Sequence, residues 1–216
     1  MNTAAKLFSK WQDWIKNDLL RQFQNLIINQ HIAAEFEASL KPFVGREVEW
    51  GDLVLWMSVN HIANTGSAIR RLNDSARDTI SLRRLLEDVR KHAAVVTQEN
   101  LSTYRGDIGP GESNVNVEEA LDSDLRLLST SGEPIRKFVN KMIAHNADDA
   151  HKITLPTSEE FKNAVHSFHT VYRKWALRLA GMNCQPEDPN PNDLLPMDLP
   201  DYRTQFTKMW NSLGKD

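Results

Sequence analysis

The stretch TSEEFKNAVHSFHTVYRKWALRLAG, residues 157–181, decides the fold class. Its large apolar residues recur at alternating spacings of four and three, namely Phe161, Val165, Phe168, Tyr172, Trp175 and Leu179. This heptad pattern is typical of a helix that packs at a shallow angle in a helical bundle. Thr157 and Glu160 have the spacing of a capping box, and Gly181 stands where a terminating glycine belongs. The stretch therefore predicts a long helix of a bundle.

Similar amphipathic patterns precede this stretch and contain no sustained two-residue alternation of the kind that strands show. They predict helices over 7–27, with an extension to 40 that ends before Pro42, and over 52–73. Three further helices are predicted from an N-cap at Ser81 to Val96, over 121–128, and from Pro134 to Met142. Residues 100–116 are glycine-rich and predict a loop. The sequence predicts an all-α, up-and-down helical bundle.

The last part of the chain differs in composition from the rest. Residues 182–200 hold five of the nine prolines and no Lys or Arg, which predicts an extended segment on the surface. Tyr202, Phe206, Met209, Trp210 and Leu213 predict a short amphipathic helix that docks either on the bundle or on a partner. We therefore predict a bundle domain over 1–181 and a Pro-rich acidic segment with a short helix over 182–216.

Composition is that of a soluble globular protein. Apolar residues make up 40% and charged residues 25% of the chain, the mean hydropathy is -0.51, and no apolar run could span a membrane. The first residues contain no apolar signal region, so we expect a cytoplasmic protein. One cysteine, Cys184, excludes an internal disulfide and a Cys-based metal cluster. The net charge of -3 gives no general bias towards nucleic acid.

Common catalytic and metal-binding motifs are missing from the sequence, which contains no P-loop, GxGxxG, HExxH, GxSxG or EF-hand pattern. His166 and His169 lie one turn apart on the last long helix and could reach one metal ion. The alternative is a pair of partly exposed histidines beside the heptad seam. We expect neither a metal nor a cofactor.

The segment IRKFVNKMIAHN, residues 135–146, is the best candidate for chemistry. At about 100° per residue, His145 extends the apolar stripe of this helix, and Lys141 lies one turn before it on the same side. A cation there favours the neutral imidazole that accepts a proton, as a general base does. Arg136 falls on the opposite side of the helix, where it could reach His145 only across a two-fold interface. The alternative is a hydrogen-bonded histidine at the edge of the core.

A basic run begins at the end of the second predicted helix and continues into the third, and its arginines are Arg70, Arg71, Arg77, Arg83 and Arg84. Arginine is suited to bidentate contacts with phosphate, so the run could track an RNA backbone. However, Arg83 with Glu87 and Arg84 with Asp88 have the spacing of ion pairs on an ordinary solvated helix face. Both interpretations remain open.

The stretch Asn140-Lys141-Met142-Ile143-Ala144-His145 resembles the "RNKxxAH" element of HEPN domains. Residues 81–89, SLRRLLEDV, resemble the AbiU-like branch of that superfamily, which is linked to bacterial abortive infection. The resemblance implies a homodimeric helical bundle, often a metal-independent endoribonuclease, in which His145 serves in acid-base chemistry and Asn140 is the polar residue after the arginine. Val139 stands in the position of that arginine, so Arg136 or Lys141 would have to contact the phosphate.

Two functions follow as hypotheses. The first is a ribonuclease effector of an abortive-infection or toxin-antitoxin system, with His145, Lys141, Asn140 and Arg136 at its catalytic site. The second is a catalytically inactive HEPN-like module that dimerises and binds a nucleotide, RNA or a protein partner. A structural role that recruits a partner through residues 202–213 is a further alternative.

Overall fold

The computed structural model describes residues 2–45, 51–105, 116–144, 156–182 and 200–213, and within these ranges it contains helices and no strand. The helices are α1 (Thr3–Asp13), α2 (Leu20–Leu40), α3 (Gly51–Leu72), α4 (Leu82–Lys91), α5 (Gln98–Arg105), α6 (Val117–Phe138), α7 (Ser158–Ala180) and α8 (Tyr202–Leu213). Six-residue π-helical segments, Trp14–Leu19 and Val139–Ala144, follow α1 and α6, and Lys41–Phe43 and Ala93–Val95 are 3-10 turns. The predicted all-α bundle is confirmed. None of the described helices is both long and apolar enough to cross a membrane.

Helix α7 lies at the centre of the bundle and contacts α1, α3, α5 and α6. The predicted capping box is present, because the Thr157 hydroxyl accepts from the Glu160 backbone N–H and the Glu160 carboxylate accepts from the Thr157 N–H. The helix ends at Gly181 with a φ of 66°, a left-handed conformation that favours glycine. The element that decided the fold class in the sequence is therefore the central element of the fold.

The first two helices form one continuous rod through the π-helical segment Trp14–Leu19, in which the Leu20 N–H bonds to the Ile15 carbonyl five residues back. The buried residues Trp11, Ile15, Leu19 and Phe23 follow one another at steps of four. In an α-helix each step of four drifts about 40° around the axis, so three of them would carry the stripe off the core face. The wider π-helical turn compensates for this drift and keeps the stripe buried.

Two predicted boundaries are wrong. The predicted loop 100–116 begins with helix α5, because Leu101 is buried and Tyr104 packs on Phe8 with ring centroids 5.1 Å apart. The third predicted helix is shorter than expected, since α4 ends at Lys91 and a 3-10 turn leads to Val96. At α5 these tertiary contacts outweigh the local pattern.

The predicted break at Gly132-Glu133-Pro134 is also wrong, because α6 continues through Pro134. Gly132 is buried where α6 meets α7, and a Cβ added there would lie 3.0 Å from the Phe168 Cζ and 2.7 Å from the Asn73 Nδ2. This glycine therefore permits a close approach of Phe168 and does not end a helix.

The C-terminal helix α8 docks on α2, which is the first of the two alternatives that the sequence left open. Trp210 is fully buried against Phe36, and its Nε1 donates to the Ser39 Oγ at 2.8 Å. The Arg203 guanidinium makes a bidentate ion pair with Glu35 at 2.8 and 2.9 Å. These contacts form a second, smaller core beside the bundle. Cys184 and residues 183–199 lie outside the described residues.

Replacing Gly66 with alanine is expected to destabilise the fold, because a Cβ at this buried site would lie 2.7 Å from the Cγ2 of Val139. Valine is stiff at χ1, so the cost of overpacking, about 1–3 kcal/mol, exceeds the gain of about 1 kcal/mol in helix propensity. Urea unfolding measures the difference. Gly51→Ala is the control, since no atom of the described residues lies within 4 Å of its added Cβ. Equal stability of the two variants would contradict this prediction, since it would show that Val139 moves away from α3 without a measurable cost.

Candidate functional site

The residues of the HEPN-like stretch fall at the end of α6 and beyond it. His145, the predicted acid-base residue, lies outside the described residues. Asn140 and Lys141 lie on the π-helical segment Val139–Ala144, with Lys141 exposed. A π-helix turns less per residue than an α-helix, so the rotation of 100° per residue does not apply within Val139–Ala144. The Asn140 Oδ1 is buried and has no hydrogen-bond partner among the described residues.

Arg136, the nearest arginine, is held by a neighbour on its own helix. Its Nε and its second terminal nitrogen donate to the two carboxylate oxygens of Glu133 at 2.7 and 2.9 Å. These hydrogen bonds lower the pKa of Glu133 and raise that of Arg136. Lys137 lies 3.8 Å from the same carboxylate. Glu133 therefore balances the positive charge of Arg136, which a phosphate would need for binding.

Val139, in the position of the missing arginine, is 1% exposed and faces Gly66 of α3. A long charged side chain has no room at this contact, and an ion buried there without a partner would be strongly destabilising. The packing of α3 on the end of α6 thus requires a small apolar residue at position 139.

The arginines of the basic run lie on α3, on α4 and on the connection between them. Arg70, Arg71 and Arg77 are exposed. Arg83 makes the predicted ion pair with Glu87 at 2.9 Å and also donates to Ser129 at 3.0 Å. Arg83 also lies near the Arg136 pair, because its charge adds to the hydrogen bonds from Arg136 that lower the pKa of Glu133.

The predicted pair of Arg84 with Asp88 does not form, because the Asp88 carboxylate accepts from the Trp11 Nε1 at 2.7 Å and from the Lys10 Nζ at 2.9 Å. Arg84 instead donates to the Ala76 carbonyl at 3.2 Å. Asp88 thus joins α1 to α4. Burial opposes ionisation of Asp88, but these two donors together lower its pKa.

A cavity of about 430 Å³ lies elsewhere, between α2, α3 and the first turn of α7. Its apolar lining includes Ile32, Phe36, Trp56, Met57, Ile62 and Phe161. Its volume lies within the range of about 300–1,000 Å³ that is typical of ligand pockets. We call this cavity the α2–α3 groove.

The polar side chains of the α2–α3 groove are mostly neutral. Gln30 donates to the Thr65 hydroxyl at 3.1 Å, and Asn60 donates to the Trp56 carbonyl at 2.8 Å. Burial lowers the pKa of His61, although the nearby carboxylate of Glu37 opposes this shift. His61 is therefore a neutral imidazole at pH 7. Among the described lining residues, Glu37 carries a negative and Lys162 a positive charge.

An apolar stripe on α3 continues the α2–α3 groove onto the surface. Leu55 and Trp56 are each 63% exposed, Val59 is 55% exposed and Ile62 is 37% exposed. Trp56 and Ile62 belong to both the stripe and the groove. The predictions from the sequence do not include this surface, although the sequence contains a signal for it. Residues 53–57, LVLWM, are five consecutive apolar residues, more than one face of a surface helix can bury.

The two histidines on α7 are not equivalent, which differs from the alternative that both are partly exposed. His166 is exposed, whereas His169 is 7% exposed and lies near the Phe23 ring. Burial, with smaller effects of Arg173 and His166, lowers the pKa of His169 to about 4. Among the described residues, no group of three or more His, Cys, Asp or Glu side chains could hold a metal ion.

Comparisons with protein-family models, with curated proteins and with solved structures find no match to this chain. The HEPN resemblance of residues 140–145 thus remains a prediction from the sequence.

Proposed function

We propose that this protein is a HEPN-like helical module without nuclease chemistry of its own, which binds a partner protein through the α2–α3 groove. The observation that carries the proposal is the continuity of a 430 Å³ cavity with the exposed stripe Leu55, Trp56, Val59 and Ile62. Contiguous apolar surface of this kind commonly marks a protein interaction site in a soluble domain. Burying it against a partner contributes about 25 cal/mol per Å² of apolar area.

Electrostatics supports a protein partner over a nucleotide. A phosphate needs several cations or backbone N–H donors. Among the described residues that line the groove Lys162 is the cation, and at the N-terminus of α7 the Glu160 N–H already bonds to the Thr157 hydroxyl. His61 adds no charge, because burial keeps it neutral. Trp56, at the mouth of the groove, belongs to the residue types that dominate the binding energy of protein interfaces.

The ion pair of Arg136 with Glu133 supports the absence of nuclease chemistry. Stabilising the charge that develops on the phosphate is the largest single contribution to phosphoryl transfer, and it needs an available cation. At Arg136 the carboxylate lies 2.7 Å from the guanidinium and would repel a phosphate. Val139 cannot supply the charge.

Fluorescence anisotropy tests this proposal by measuring the binding of a labelled amphipathic peptide whose leucines lie at positions i, i+3, i+4 and i+7. We expect Trp56→Asp to weaken binding about thirtyfold, since a central tryptophan commonly contributes about 2 kcal/mol. Leu127→Asp is the matched control, because Leu127 is 40% exposed on α6, away from the groove. Equal binding by both variants, or of a scrambled peptide, contradicts the proposal.

Ribonuclease activity is the second candidate, and one observation favours it. The Asn140 Oδ1, in the HEPN-like stretch, is a buried acceptor without a partner among the described residues, and such groups are common at functional sites. Cleavage of total tRNA in excess EDTA, lost in His145→Ala, would establish this activity. We expect no cleavage by the wild-type protein.

A further inference from the structure

We infer that the α2–α3 groove binds an amphipathic α-helix of the partner, which lies parallel to α3 with its N-terminal end beside Glu37. This inference rests on the proposed function and adds the conformation and the direction of the bound segment.

The two walls of the groove are antiparallel, and contacts identify its two ends. At one end Gln30 of α2 bonds to Thr65 of α3, at 3.1 Å. At the other end Phe36 and Met57 meet in the second core, where α8 packs against them. Along α2 the lining runs from Asn29 to Glu37, about 12 Å at 1.5 Å per residue. This length matches about two turns of a bound helix.

The lining favours a helix over an extended strand. A strand leaves its backbone N–H and C=O groups to be paired by the groove, whereas a helix pairs them internally. Gln30 and Asn60 each donate one carboxamide hydrogen within the protein. The small side chains of Ala33 and Ala34 let a helix backbone approach α2 closely. The groove therefore offers apolar contact and few donors.

The charges at the two ends determine the direction. Glu37 lies at the end formed by Phe36 and Met57, where it acts on His61. Lys162 and the N-terminus of α7 lie at the other end, beside Phe161, which approaches Gly66. A helix carries about half a positive charge at its N-terminus and half a negative charge at its C-terminus. The charges at both ends of the groove complement the dipole of the bound helix when its N-terminus faces Glu37.

Methyl NMR with ¹³C-labelled methionine tests this direction, because Met57 lines the end near Glu37. An 18-residue amphipathic peptide is about 27 Å long as a helix, so a nitroxide at one end is much closer to Met57 than one at the other. We expect the N-terminal label to broaden the Met57 methyl signal strongly and the C-terminal label to broaden it weakly. A peptide with a central proline, which cannot form this helix, should bind at least tenfold more weakly.

Failure of the inference is distinguishable from failure of the proposed function. Stronger broadening by the C-terminal label overturns the direction, and equal affinity of the proline peptide overturns the helix, while Trp56→Asp still weakens binding in both cases. An unperturbed Met57 signal with binding that Trp56→Asp leaves unchanged overturns the proposed function itself. A wild-type dimer that Trp56→Asp dissociates in light scattering also overturns the inference, since the occupant is then a second copy of the chain.

Discussion

Replacing Trp175 with alanine is expected to lower the free energy of unfolding by about 3–5 kcal/mol, as removal of a buried aromatic ring commonly does. Trp175 is 0% exposed in the C-terminal half of α7, and its Nε1 donates to Asp124 of α6 at 2.7 Å. The substitution leaves a cavity and also removes a donor from a carboxylate that is 7% exposed. Asp124 keeps its contact with the Lys174 Nζ at 2.8 Å. Urea unfolding at pH 7 measures the change.

Two further variants separate these contributions. Trp175→Phe keeps an aromatic ring and loses the indole N–H, so it should cost about 1.5–3 kcal/mol, the contribution of a hydrogen bond to a charged group. Leu127→Ala, at an exposed position on α6, should change stability by less than about 0.5 kcal/mol. If Trp175→Phe is as destabilising as Trp175→Ala, the hydrogen bond to Asp124 and not the volume of the ring dominates.

Acidification from pH 7 to pH 4 is expected to remove about 3 kcal/mol of stability through His169, because its pKa is about 4 in the folded protein and 6.5 in the reference state. Between these values the unfolded chain binds a proton that the native state does not bind. The contribution is therefore fully present above pH 6.5 and is lost as the pH falls towards 4. Burial is the main cause of the low pKa, and the positive charge of Arg173 adds to it.

The comparison of wild type with His169→Gln isolates this contribution, since other groups titrate in both proteins. The variant should lose less stability between pH 7 and pH 4 than the wild type does. His166→Gln is the control, because His166 is exposed on the same helix. Identical pH dependence of all three proteins would mean that His169 is protonated within the fold.

Local signals predict the fold where they agree with packing. The capping box at Thr157 and the glycine at 181 set both ends of α7, and the heptad seam places Phe168 and Trp175 in the core. The break predicted before Pro134 does not occur, because the tertiary contact at Gly132 stabilises a continuous helix. Glycine and proline give a local preference, which the packing of α7 on α6 outweighs.

The candidate groove was harder to predict than the fold. A helical pattern on α3 shows which residues are apolar, but the neighbours of α3 decide which of them are buried. Leu53, Val54 and Met57 pack against the second core, and this arrangement leaves Leu55 and Trp56 exposed. The sequence contains no signal for the pairing of α8 with α2, because that contact joins residues 168 positions apart, such as Glu35 and Arg203. The exposed stripe is therefore a property of the tertiary structure.

The π-helical segment Trp14–Leu19 holds one residue more than an ordinary α-helix needs to keep the buried stripe aligned. Loss of one residue there would allow an ordinary α-helix and would leave Trp11 and Phe23 aligned, because eleven residues at 100° come within about 20° of three full turns. Loss of a second residue would turn Phe8 and Trp11 by about 100° relative to Phe23 and Leu26, and half of the buried stripe would then face solvent. Conservative substitutions at these positions leave the angular alignment of the buried residues around the helix axis unchanged. Chain length between Trp11 and Phe23 is thus itself part of the information that specifies the core.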